Sequence, residues 1–192
     1  MLRKTLFAVT ILATSAVAAA TPSPPAAPQI ILHDLVELIG VVEQEPMARS
    51  TTVRAAVEIK IAEGYHVNAN PPSEDWLIPT EISVSGAAGV TVKEAFYPEA
   101  QDRTFEFWPE PLRVYEGDVV MGFLLEISAD AEVGPHDLEL TLRYQACNEE
   151  ACFAPTSVKY AVPVTVAEAG TAPRTTSQSP LLSRASFARP SQ

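Results

Sequence analysis

The sequence predicts an all-β domain, an antiparallel sandwich of two sheets. Three observations carry that expectation: runs of alternating apolar and polar residues, turn-forming Gly, Pro, Asn and Asp between them, and no helical period beyond the first twenty residues. In chain order, Ile31–Val42 is a short first candidate. Next, Val53, Ala55, Val57, Ile59 and Ile61 are apolar while Arg54, Glu58 and Lys60 fall between them, which is the pattern of a half-buried strand. Glu81–Ser85 and Val90–Phe96 flank the turn signal "SGAAG", and Leu112–Tyr115 precedes another, "EGD". Val119, Met121, Phe123, Leu125 and Ile127 alternate again. Leu138, Leu140, Leu142 and Tyr144 do so against Glu139, Thr141, Arg143 and Gln145, and Val158, Tyr160, Val162, Val164 and Val166 form the last run. About eight short strands at this spacing fit a sandwich of the immunoglobulin-like kind. The Cys…Trp…Cys pattern of antibody domains is absent, so the expectation concerns architecture alone.

The two ends read differently. Residues 1–20 carry Arg3 and Lys4, an apolar run from Leu6 to Ala13 and the small residues Ala18, Ala19 and Ala20, the layout of a secretory signal peptide. The apolar run is shorter than the roughly 20 residues of a transmembrane helix, and no later stretch approaches that length. Residues 21–30 form a proline-rich linker, residues 31–168 the folded domain. Residues 169–192, rich in Ser, Thr, Pro and Ala, are expected to be a disordered tail. Loss of Arg3 and Lys4 takes the formal charge from −11 to −13, and the tail holds three arginines and no acid, so residues 21–169 carry −16. Such an acidic domain is a poor partner for nucleic acid. Export places it in the periplasm or an equivalent compartment, where paired thiols are normally oxidised.

Both cysteines of the chain lie in "LTLRYQACNEEACFAP". Continuing the alternation of the preceding strand puts Cys147 with Arg143 and Gln145, facing away from the core. Asn148-Glu149-Glu150-Ala151 is a four-residue loop, a common hairpin length, so a Cys147–Cys152 disulfide is feasible. It raises a register problem, because pairing the two cysteines sets Thr141 opposite Val158. One extra residue must be absorbed, and Ala154-Pro155 is the expected place, since proline is admitted at bulges and edges. Such a bond is either a structural staple or a site of exchange. Chain-entropy estimates give a ring of about six residues only roughly 2 kcal/mol against about 4.7 for a ring of 100, which makes it a weak staple. An accessible hairpin end also suits attack by another protein's thiolate. Glu149 and Glu150 disfavour a thiolate, and the loop holds no Lys or Arg, so the local sequence favours a disulfide that waits for a reductant over an aggressive oxidant.

"YQACNEEACFAP", with "GYHVNANPP" at Gly64–Pro72 and "VYEGDV" at Val114–Val119, resembles the N-terminal periplasmic domain of the DsbD family of thiol:disulfide interchange proteins. The likeness runs from about Leu32 to Val166. It implies an immunoglobulin-like fold that takes electrons from a thioredoxin-like or membrane-bound donor and passes them to periplasmic disulfide-bearing clients. By match to the motif Cys147 and Cys152 are the redox pair, with Cys152 the sulfur usually attacked. Familiar members have one residue more between the cysteines, and their chains continue into a membrane-embedded and a thioredoxin-like domain, so a chain of this extent relies on a separate donor.

The family shields its disulfide with a cap loop bearing an aromatic residue. The candidate here is "AQDRTFEFWPEP", with Phe105, Phe107 and Trp108, a stretch too crowded and too polar in context to read as a regular strand. A hinged aromatic lid is one reading and ordinary loop anchors packed on the sandwich the other. Tyr65 and His66 correspond to a stretch near the redox site in the family, although a His beside a Tyr is more often a turn residue. His33 and His136 have no spaced partner. Cys-x4-Cys with one distant His is too few ligands for a metal, and no phosphate loop or nucleophile elbow is present. The expectation is a protein-disulfide reductase-type domain with no cofactor beyond its disulfide; the alternative is a non-enzymatic binding sandwich stapled by the same bond.

Overall fold

The computed structural model describes residues 35–188; the expected signal peptide, the linker and His33 lie outside them. The strands in chain order are β1 (Val36–Val42), β2 (Gln44–Glu45), β3 (Met47–Ala48), β4 (Thr51–Ile61), β5 (His66–Asn68), β6 (Glu81–Ser85), β7 (Val90–Phe96), β8 (Gln101–Phe105), β9 (Trp108–Tyr115), β10 (Asp118–Ile127), β11 (Gly134–Tyr144), β12 (Ala146–Cys147), β13 (Thr156–Ala167) and β14 (Thr175–Thr176). One short helix, α1 (Pro180–Arg184), follows.

Two four-stranded sheets, β1-β4-β10-β7 and β3-β13-β11-β6, make the immunoglobulin-like sandwich, antiparallel apart from the short β13–β3 pair. The long alternating runs supply its core: Val53, Val57, Ile59, Met121, Phe123 and Leu125 from the first sheet, Leu138, Leu140, Leu142, Tyr144 and Val166 from the second, all almost wholly buried. Each such side chain is worth about 1.5–3 kcal/mol of transfer free energy. A third sheet, β12-β5-β9-β8, stands at one end and carries both cysteine-loop and aromatic-hairpin residues. Its small core of Leu77, Phe105, Leu112 and Val114, with Trp108 against it, is separate from the main one.

Two expectations are corrected. The stretch Ala100–Pro111 is not irregular: β8 and β9 form a hairpin, with Phe105 paired to Trp108 across the turn residues Glu106 and Phe107. A register shift after Arg103 absorbs the Pro109-Glu110-Pro111 run, which lets prolines sit in a paired strand. The segment after Ala167 is not a disordered tail over its described residues. Thr175 and Thr176 pair with β2, and Arg174 and Ser177 donate backbone N–H groups to the carbonyls of Glu45 and Glu43.

From there α1 packs on β4 and β10, Arg184 pairs with Glu58 at 2.5 Å, and Phe187 meets Phe96 edge-on at 6.1 Å beneath the Arg54 guanidinium. This strap explains why Ala56 and Glu58, on the polar side of the β4 alternation, are buried. A buried carboxylate needs a charged partner, and the strap provides one. No helix among the described residues is long and apolar enough to cross a membrane.

Candidate functional site

The cysteine loop is held by local hydrogen bonds. The Asn148 side chain accepts from the backbone N–H groups of Glu150 (2.9 Å) and Ala151 (2.8 Å), and the Asn148 N–H donates to Ala151 O (3.0 Å). This Asx turn closes the four-residue connection, and Cys147 and Cys152 on either side are joined by a disulfide. Phe153 N–H donates to Ala146 O at 2.9 Å, and Gln145 Nε2 to Phe153 O at 2.9 Å.

The anticipated extra residue is present. Tyr144 pairs with Thr156 and Leu142 with Val158, yet Cys147 faces Cys152, a pairing one residue out of step. With Ala146 bonded to Phe153, the surplus residue falls at Ala154-Pro155.

One detail of the sequence reading is overturned. Cys147 is buried, 1% exposed, instead of facing outward, whereas Cys152 is exposed. The alternation does not carry through because β11 ends at Tyr144 and the chain restarts as β12 in another sheet, where Ala146 and Cys147 are both buried. One cysteine of the bond is therefore exposed and the other buried.

The third sheet brings distant residues to this bond. Cys147 lies directly opposite His66 on β5, and the His66 ring stacks on Phe105 at 4.5 Å. Phe107, half exposed at the hairpin turn, stacks on Phe105 in turn at 5.3 Å. Cys152, Cys147, His66, Phe105 and Phe107 thus form a continuous row. Tyr65 meets Phe153 just after the second cysteine, with ring centroids 6.0 Å apart. Trp108 is drawn away from this row toward Trp76, at 5.2 Å in a T-shaped contact, and its buried Nε1 has no hydrogen-bond partner among the described residues.

Beside the row is a cleft of about 460 Å³, lined by Tyr65, His66, Arg103, Glu116, Glu149 and the turn from Ile61 to Gly64, with Gly117. Arg103 Nη1 donates to both carboxylate oxygens of Glu116 at 2.6 Å, and Nη2 reaches Glu149 at 3.5 Å. The loop that holds no cation of its own therefore receives one from β8. Burial pushes the His66 imidazole below its ordinary pKa; Glu116 pulls it up and Arg103 down. Arg103 and Glu116 lie in the stretches quoted for the cap and the family likeness but were not singled out, because neither is within 30 residues of a cysteine.

Sandwich, end sheet and hairpin disulfide together define a small β-domain whose disulfide joins one exposed and one buried cysteine. The chain belongs to the family described as thiol:disulfide interchange protein DsbD, N-terminal, which it matches over residues 39–163. It is similar to the Neisseria meningitidis DsbD N-terminal domain in the reduced form, with 19% identity and a TM-score of 0.38 over 65% of this chain and 85% of that one. It is also similar to the N-terminal periplasmic domain of ScsB from Proteus mirabilis, with 14% identity and a TM-score of 0.47, covering 71% of this chain and 49% of that one. A complex between the DsbD and PilB N-terminal domains of Neisseria meningitidis gives 17% identity and a TM-score of 0.38, over 73% and 89% of the two chains. No curated protein matches the sequence.

Proposed function

We propose that this domain is an exported thiol:disulfide exchange relay, a protein-disulfide reductase-type unit whose redox group is the Cys147–Cys152 bond itself. An incoming thiolate attacks the exposed Cys152 sulfur, and buried Cys147 leaves. In the return reaction Cys152 attacks a client disulfide and Cys147 resolves the mixed disulfide. Electrons come from a thioredoxin-like or membrane-bound donor and go to disulfide-bearing clients in the periplasm. The β8–β9 hairpin, through Phe105 and Phe107, acts as the cap that keeps small thiols from the bond.

The observation that carries this reading is the asymmetry of one short-ring disulfide, exposed at Cys152 and buried at Cys147, in a chain of an interchange family. A staple has no need of a reachable sulfur and gains little from so small a ring. The test is the reduction potential of the pair, from equilibration in thiol buffers with the two states resolved by alkylation. A value well above about −300 mV is expected for a relay. A value far below it, with unfolding on reduction, leaves a stapled binding domain.

A further inference from the structure

His66 stands opposite Cys147 with no task in the exchange as described so far. Directly paired residues of an antiparallel ladder have Cβ atoms about 5 Å apart on one face, so the His66 and Cys147 side chains leave the sheet side by side. The residue is 4% exposed, lines the cleft, stacks on Phe105, and makes no side-chain hydrogen bond to the described residues. A polar ring on the wall of the cleft, opposite the buried cysteine, is placed to serve the chemistry there.

The reaction has a step that needs such a ring. Cys147 must become a thiolate to resolve a mixed disulfide, and burial opposes that. Facing the cleft from the surrounding elements are Glu63 after β4, Arg103 on β8, Glu116 after β9 and Glu149 in the cysteine loop. Arg103 is engaged by Glu116 and Glu149, and the carboxylates disfavour a second negative charge nearby. The imidazole, uncharged at neutral pH, keeps a lone pair for a proton.

We propose that His66 is the general base that takes the proton of Cys147 in the resolving step. The inference rests on the exchange reading above and assigns a role within it. With Cys152 Sγ bonded to a client sulfur, the Cys147 thiol gives its proton to the imidazole. The thiolate attacks Cys152 Sγ, the Cys147–Cys152 bond forms, and the bond from Cys152 to the client breaks with its electron pair leaving on the client sulfur. The imidazolium returns its proton through the cleft to that thiolate or to water. Over both steps the client disulfide gains two electrons and two protons, and the cysteine pair loses them.

The test uses the reduced chain and 5,5′-dithiobis(2-nitrobenzoic acid) in stopped flow. One thionitrobenzoate equivalent is released in proportion to reagent concentration by Cys152, the second in a first-order step by Cys147. In His66→Phe and His66→Gln the second step should slow about 100-fold at neutral pH, with the first step unchanged. The gap should close as pH rises and the Cys147 thiol ionises unaided. In the wild type the second step should level off above an ionisation lying below about 6.5, the ordinary histidine value, instead of rising to the thiol range near 8.5. That profile decides the matter even where a variant fails to fold. Equal slowing of both steps, an unchanged second step, or a gap that persists at high pH overturns the base while leaving exchange intact. If the wild type releases no second equivalent in a first-order step, exchange itself fails and the base falls with it.

Discussion

At the scale of single residues, the environment of His66 predicts a pH effect on the fold separate from any chemistry. Its pKa is depressed by burial in the folded state, so below about 6.5 the unfolded chain binds a proton that the folded one refuses. Stability contributed in this way is complete above that pH and falls as pH drops from there toward the folded value. Thermal melts of the wild type should lose ground as pH falls below about 6.5, and those of His66→Phe should be flatter; parallel curves would refute the assignment. The cap is tested at Phe107. Phe105 is buried at 3%, and its loss to Ala would cost about 3–5 kcal/mol, confounding any rate with unfolding. Phe107 is 49% exposed, so Phe107→Ala should change stability by no more than about 0.5 kcal/mol. It should nevertheless speed reduction by glutathione severalfold, and an unchanged rate shows that the hairpin is no lid.

At the scale of elements, the strap from Arg174 to Phe187 depends on one glycine. Gly122 lies on β10 beneath it, and a Cβ there would stand 2.3 Å from the Ser186 carbonyl oxygen. Replacing a strand glycine by alanine ordinarily stabilises by about 0.5–1 kcal/mol through the unfolded chain. Here the clash with main chain opposes that gain. Gly122→Ala should lift the strap from the sheet, break the Arg184–Glu58 pair and speed tryptic cleavage after Arg184, while far-UV circular dichroism keeps its β signature. Cleavage at the wild-type rate would mean that Ser186 and its neighbours yield without releasing the strap. The long strands were legible for a physical reason: two-sided burial contrast leaves a period of two in β4, β10, β11 and β13. The two- and three-residue strands β5 and β12 are too short for any period. The strap's order comes from Gly122, Glu58 and Phe96, from about 60 to more than 120 positions earlier, so its local composition suggested disorder.

At the scale of the whole molecule, the cysteine pair was readable from spacing, and its one-residue slip from register arithmetic alone. Of its surroundings, His66, Phe105 and Phe107 were named from the family likeness, whereas Arg103 and Glu116 were not. These two reach the cleft only because the third sheet closes over the end of the sandwich, and Cys147 turned inward because the chain changes sheets between Tyr144 and Ala146. The acidity of the chain acts at the same scale. With −16 over residues 21–169 and Glu63, Glu116 and Glu149 around the cleft, an anionic thiol meets a repulsive field. Raising salt from about 0.01 M to 0.15 M shortens the screening length from about 30 to 8 Å. Reduction by glutathione should accelerate over that range while reduction by dithiothreitol, less charged, changes little. Equal salt responses of the two reagents would exclude steering by this field.

The offset at Ala154-Pro155 also bears on how such a domain can diversify. The ladder between β11 and β13 is already out of phase with the cysteine bridge, so the stretch from Gln145 to Pro155 keeps its own count. A residue gained or lost between the cysteines is taken up within that stretch, and the inward-facing side chains of the sandwich stay where they are. The hairpin behaves as an interchangeable cassette: loop length, charge and partner preference can drift there across a lineage, or be swapped by design, while the scaffold is inherited unchanged.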